Sequence, residues 1–256
     1  MVTILPLELS DLASVVAFAQ LVSSTLGSVN IDYLFLNAAI SDPAGPPGTV
    51  GPHGSKWSKT YIVNHLCQFV DLDAWFPETN LLPPAQHLLV HLLLSTLISS
   101  HARLVFTSSA SFREVDDPHV FEGDLLAGSG TPGRKLYSET KFTQLLGTHW
   151  WRRELQKRNT GCTVVAVSPG LVPRTGIGKG MGMDFTGWDG ARELHEGAAS
   201  IIAAFHRTDF PDDPDLVFLT SWGEWWGRDV LEKTLDKSLQ DRWCPGREEI
   251  EREFSL

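Results

Sequence analysis

Cysteine, methionine and tyrosine each occur only three times in 256 residues. Cys67, Cys162 and Cys244 are an odd number with no metal-ligand spacing. They predict reduced thiols in a cytoplasmic protein, not a disulfide scaffold or a metal site. Basic residues are also scarce: 21 Lys and Arg face 31 Asp and Glu, for a net charge of −10. Nucleic acid and anionic membrane both require a basic face, so neither is expected as the main partner. The most apolar run, "HLLVHLLLSTLIS", falls short of the ~20 residues of a membrane span and predicts a buried helix. No secretory signal is expected, because the start has no basic residue and Glu8 and Asp11 precede the first apolar run. One domain over residues 1–256 accommodates this length and composition.

Strand-like and helix-like segments alternate. "VTILPLEL" reads as a short strand, and "SDLASVVAFAQLVSSTLG" as a helix capped by Ser10 and stopped at Gly27. "IDYLFLNAA", "ARLVFTSSAS", "CTVVAVSPG" and "DLVFLTS" are apolar runs of strand length, typical of strands buried on both faces. Helices are expected in "WSKTYIVNHLCQF", over roughly 134–157, and in "GARELHEGAASIIAAFH". The alternation predicts an α/β fold around a parallel sheet. In such sheets ligands bind at the carboxyl ends of the strands. Asn37-Ala38-Ala39, Ser108-Ser109 and Pro169-Gly170 all fall at those ends.

"YSETK", residues 137–141, places a tyrosine and a lysine one helical turn apart. Alone the spacing is weak. Together with "LNAA", "YIVNHL", "FTSSAS" and "SPGLVPRTG", in that order, it resembles the signature of the short-chain dehydrogenase/reductase family. The resemblance covers nearly the whole chain and implies a Rossmann-like, doubly wound sheet. It also implies a hydride transfer between NAD(P)(H) and a carbonyl/alcohol or activated alkene of a small organic substrate. Family habit favours NADP(H) over NAD(H), and dimers or tetramers. "PGLVPRTGI" and the C-terminal region are similar to the protochlorophyllide reductase-like and retinol dehydrogenase-like branch.

The resemblance implies a role for each matching residue. Tyr137 would be the general acid/base, its phenol pKa lowered by the Lys141 cation. Ser109, with Ser108 as the alternative, would donate to the substrate oxygen. Asn64 would hold a water linking Lys141 to solvent. Asn37, Ala38, Tyr137, Lys141, Pro169, Gly170, Val172 and Thr175 would contact the cofactor. Trp222, Trp225 and Trp226 would either line a pocket for an apolar substrate or pack the C-terminal helix onto the sheet.

The chain also departs from the family. The start resembles the family's third strand and following helix, with Glu8 where an acid usually contacts adenine, so the first two strand–helix units are expected to be lacking. That leaves an open sheet edge beside the Asn37 strand and removes the Gly-rich cradle for the pyrophosphate. "TGIGKGMG", Thr175 to Gly182, matches the cradle's letters without the strand that should run into it, and reads as a flexible substrate loop. Residues 70–86 carry Pro77, Pro83 and Pro84 where the family runs one helix. They are expected to be either a lid-forming insertion or a retained intron, because valine codons begin with GT and one glutamine codon ends in AG. The truncated cradle motivates an alternative function: a catalytically silent binding protein or a cofactor-independent isomerase.

Overall fold

The computed structural model describes residues 2–66 and 85–244. Cys67 and most of the expected insertion at 70–86 lie outside the described residues. Four parallel strands form the sheet in sequential order: β1 (Tyr33–Leu36), β2 (Arg103–Thr107), β3 (Thr163–Val167) and β4 (Phe218–Leu219). The register runs Leu36↔Phe106↔Ala166↔Phe218. β2 and β3 are central, and Leu104, Val105, Phe106, Val165, Ala166 and Val167 are fully buried. Burial on both faces explains why these strands read as continuous apolar runs.

Helices cover both faces. α1 (Leu12–Leu26), α2 (Lys59–Tyr61), α3 (Ala85–Leu92) and α4 (Leu94–Ser99) come from the first half. The second half supplies α5 (Gly133–Lys157), α6 (Gly176–Gly180), α7 (Leu194–His206), α8 (Arg228–Leu231) and α9 (Lys237–Trp243). α5 is buried on almost every side from Leu136 to His149, including Lys141, Thr143, Gln144 and Thr148. Its start presses so closely on the chain that a Cβ at Gly133 would meet the Ser41 carbonyl at 2.2 Å. α9 is pinned by Trp243, whose ring stacks on Phe121 at 5.1 Å. No helix among the described residues is long and apolar enough to cross a membrane.

Three expectations about the first third need correction. "VTILPLEL" is not a strand: residues 2–8 are irregular, and Val2 and Ile4 are about nine-tenths exposed. A strand needs a ladder, and no described segment pairs with this one. The α1 cap is Asp11, which accepts from the Ala13 amide at 3.0 Å, and not Ser10. Ser10 donates instead from its amide and hydroxyl to Glu8, at 2.9 and 2.7 Å. Those two bonds hold the Glu8 carboxyl below its ordinary pKa, and they occupy the carboxylate that the resemblance had set against adenine. Among the described residues one edge of the sheet is open. β1 pairs only with β2 among the described residues, and Tyr33 and Phe35 stay substantially exposed, each set edge-on against Phe205 at 5.4 Å.

Candidate active site

One cavity of about 1080 Å3 opens at the carboxyl ends of the strands. β1 delivers Asn37 and Ala38 to it, β2 delivers Ser108 and Ser109, β3 delivers Pro169 and Gly170, and α5 delivers Tyr137 and Lys141. Val172 and Thr175 complete the wall beyond β3. Every residue that the motifs singled out lines this space except Asn64. Gly170 has a φ of +82°, and a Cβ there would meet Arg192 Cδ at 2.8 Å, so the turn requires glycine. Asn37 Oδ1 accepts from Thr107 Oγ1 at 3.1 Å, which ties the β1 end to β2.

Asn64 sits in a π-helical turn, Ile62–Leu66, that continues α2. Its side chain is fully buried and occupied. Oδ1 accepts from the Ile40 amide at 2.9 Å, and Nδ2 donates to the Ile40 carbonyl at 2.8 Å and to Thr140 Oγ1 at 2.9 Å. The amide therefore clamps the segment after β1 onto the helix that carries Tyr137. Asn64 is not among the residues lining the cavity, and its side chain acts as a clamp within the fold. Thr140, within the YSETK motif, is the partner that sequence reasoning missed.

The lysine also departs from expectation. Lys141 is fully buried, and its Nζ donates to the Thr107 carbonyl at 2.7 Å and to Gln144 Oε1 at 3.2 Å. It lies 5.5 Å from the Tyr137 ring centroid. Burial pushes its pKa down to about 7. Burial likewise pushes the Tyr137 phenol up to about 12, against a smaller opposing pull from the Ser109 hydroxyl. In the chain without cofactor, burial thus moves the two groups in the directions opposite to those the resemblance implies for a tyrosine activated by its lysine. Gln144 lies three residues past Lys141, a spacing that places both on one helix face. That spacing was the available signal for its role.

Of the two strand-end serines, Ser109 is half-buried and accepts from the Ser111 amide at 3.2 Å and hydroxyl at 3.0 Å. Ser108 is buried, and its Oγ has no partner among the described residues although it lines the cavity. The Gly-rich segment Thr175 to Gly182 forms helix α6 over Gly176–Gly180 in place of the expected flexible loop. Its one and a half turns send Ile177 into the cavity wall, followed by Met181 and Met183. Trp222 and Trp226 line the cavity, whereas Trp225 packs towards Phe210 and donates from Nε1 to the Asp209 carbonyl at 3.1 Å.

These residues fit the nicotinamide end of a dinucleotide. The orphaned Ser108 hydroxyl and the Gly170 turn are the specific observations in favour. A pyrophosphate cradle fits less well. Among the described residues no strand runs directly through a Gly-rich turn into a helix.

No protein-family profile matches the chain. A short-chain dehydrogenase/reductase of Pestalotiopsis microspora is 44% identical over 254 residues, covering 98% of this chain and 79% of that protein. Solved structures share the fold at low identity. An uncharacterized protein of Mycobacterium paratuberculosis superimposes with a TM-score of 0.57 at 19% identity, over 98% of this chain and 76% of that one. The NADPH-bound carbonyl reductase from chicken fatty liver gives 0.53 at 19% identity, over 87% and 75%. The chain belongs to the short-chain dehydrogenase/reductase family.

Proposed function

We propose that this chain is an NAD(P)-dependent oxidoreductase that acts on a carbonyl/alcohol or activated alkene of a small organic substrate. The observation that carries the reading is the convergence of Ser109, Tyr137 and Lys141 with Asn37, Ala38, Gly170 and Thr175 on one cavity. The nicotinamide supplies or accepts the hydride when bound. Pro169, Gly170, Val172 and Thr175 would hold the carboxamide side, and Asn37 and Ala38 the opposite wall. NADP(H) is the expected form.

The protein's own task is to manage the proton and the charge on the substrate oxygen. In the reducing direction the Tyr137 hydroxyl, high in pKa and so protonated at neutral pH, gives its proton to the oxygen as carbon gains hydride. Ser109 donates a hydrogen bond to the same oxygen and stabilises the charge that develops there. Lys141, with a pKa of about 7, is poised to exchange a proton near neutrality. A shift of its ammonium towards Tyr137, away from the Thr107 carbonyl, would make the phenolate accessible.

A second reading has its own support. The Lys141 ammonium is engaged by the Thr107 carbonyl and Gln144 and makes no hydrogen bond to Tyr137. The incomplete cradle points the same way, towards a silent binding protein or a cofactor-independent isomerase. Titration of the purified chain with NADPH and NADH, followed by calorimetry, separates the two. Oxidoreduction requires micromolar binding of one of them. It also requires Tyr137→Phe to keep that binding while losing about 10²–10⁴-fold in turnover. Folded protein that binds neither dinucleotide leaves the second reading.

A further inference from the structure

Acids outnumber bases by 31 to 21 in this chain, yet the charged residues of the cavity are Arg113, Arg134, Lys141 and Arg192 against Glu114 alone. Arg134 and Glu114 neutralise each other through Nη2–Oε1 and Nε–Oε2 contacts of 3.0 and 3.4 Å. Glu114 also accepts from the Ser138 hydroxyl at 2.9 Å. Lys141 is committed to Thr107 and Gln144. Arg113 and Arg192 remain, and neither has an acidic partner among the described residues.

The two cations occupy different walls. The Arg192 stem packs on Gly170, on the side assigned above to the nicotinamide. Arg113 follows Ser109 on the short helical turn Ala110–Glu114, on the side where a substrate oxygen would lie. Its guanidinium sits 4.9 Å from the Trp226 ring, and that ring stacks on buried Phe218 at 4.5 Å and 10°. Its Nε donates to the Ala110 carbonyl at 3.4 Å, which leaves the paired terminal Nη groups without a partner among the described residues. A fork of that geometry matches a carboxylate. The same cavity is also lined by the apolar side chains of Met181, Met183, Phe185 and Trp222.

We propose that the cleft selects an apolar carbonyl compound bearing a carboxylate, with Arg113 binding that carboxylate. The substrate class rests on the oxidoreductase reading; the anion preference does not. The matched probes are 6-formyl-2-naphthoate and its methyl ester, with binding followed by calorimetry and turnover by NADPH absorbance. The acid should bind about tenfold or more tightly than the ester, as one charge-assisted contact allows. Arg113→Gln should erase that ratio, and Arg113→Lys should retain part of it by keeping the charge. Equal binding of acid and ester, or binding of neither, overturns the proposal. So does an Arg113→Gln chain that loses NADPH affinity together with the acid preference, since the cation would then serve the dinucleotide. A preference for the acid without turnover of either probe supports anion selection and leaves the oxidoreductase reading to the dinucleotide titration above.

Discussion

Glu139→Gln is expected to stabilise the fold in a strictly pH-dependent way. Glu139 lies between Tyr137 and Lys141 in the motif and is 3% exposed. Burial, reinforced by the nearby Asp124 carboxylate, pushes its pKa from 4.5 up to about 8, and Lys135 at 3.7 Å only partly opposes this. The folded chain therefore keeps a proton that the unfolded chain releases above pH 4.5. Stability from this group is complete below that pH and is lost as pH rises to about 8. At about 1.4 kcal/mol per pKa unit, a rise from 4.5 to about 8 sets an upper bound near 5 kcal/mol. Relaxation around the carboxylate and its half-exposed lysine partner should reduce this to roughly 2 kcal/mol. Glutamine keeps the shape and never ionises. Urea unfolding should give matching midpoints for variant and parent near pH 4.5, with the variant ahead by about 2 kcal/mol at pH 8.5. A difference that does not vary with pH, or a less stable variant at pH 8.5, would refute the reasoning.

The lysine should behave in the opposite sense. Its pKa is lowered by burial to about 7, so Lys141→Met should gain stability below pH 7, and the gain should fade as pH rises towards 10.5. Thermal unfolding at pH 6 and pH 9.5 checks this. Asn64→Ala should cost about 2–3 kcal/mol in urea unfolding, because it strands the buried Ile40 amide and carbonyl and the Thr140 hydroxyl. Should the site turn over, Ser109→Ala is expected to lower kcat by about 10²-fold or more and Ser108→Ala by less. A larger effect at Ser108 would assign the donor role to the orphaned hydroxyl. Trp151→Ala, at a side chain 1% exposed, should lower stability by about 3–5 kcal/mol with the far-ultraviolet spectrum retained.

The sequence alone determined the α/β class, the three longer strands and the helix carrying Tyr137 and Lys141. Apolar runs and helical spacing are local signals, and burial on both faces of a parallel sheet writes them plainly into the residues. It also brought Asn37, Ser109 and Gly170 to the same end of the sheet, because strand ends follow from strand positions. Tertiary structure decided what local pattern cannot carry. "VTILPLEL" has strand-like composition, but a strand exists only where another segment offers its hydrogen bonds. Asn64 has the right place in the motif order, but the carbonyl of Ile40 and the hydroxyl of Thr140 take its amide. The pKa values of Tyr137 and Lys141 depend on how much water the folded chain excludes, and their spacing of four residues says nothing of that. That Arg113 pairs with no acid among the described residues is likewise a property of three-dimensional neighbours, in a chain with more acids than bases.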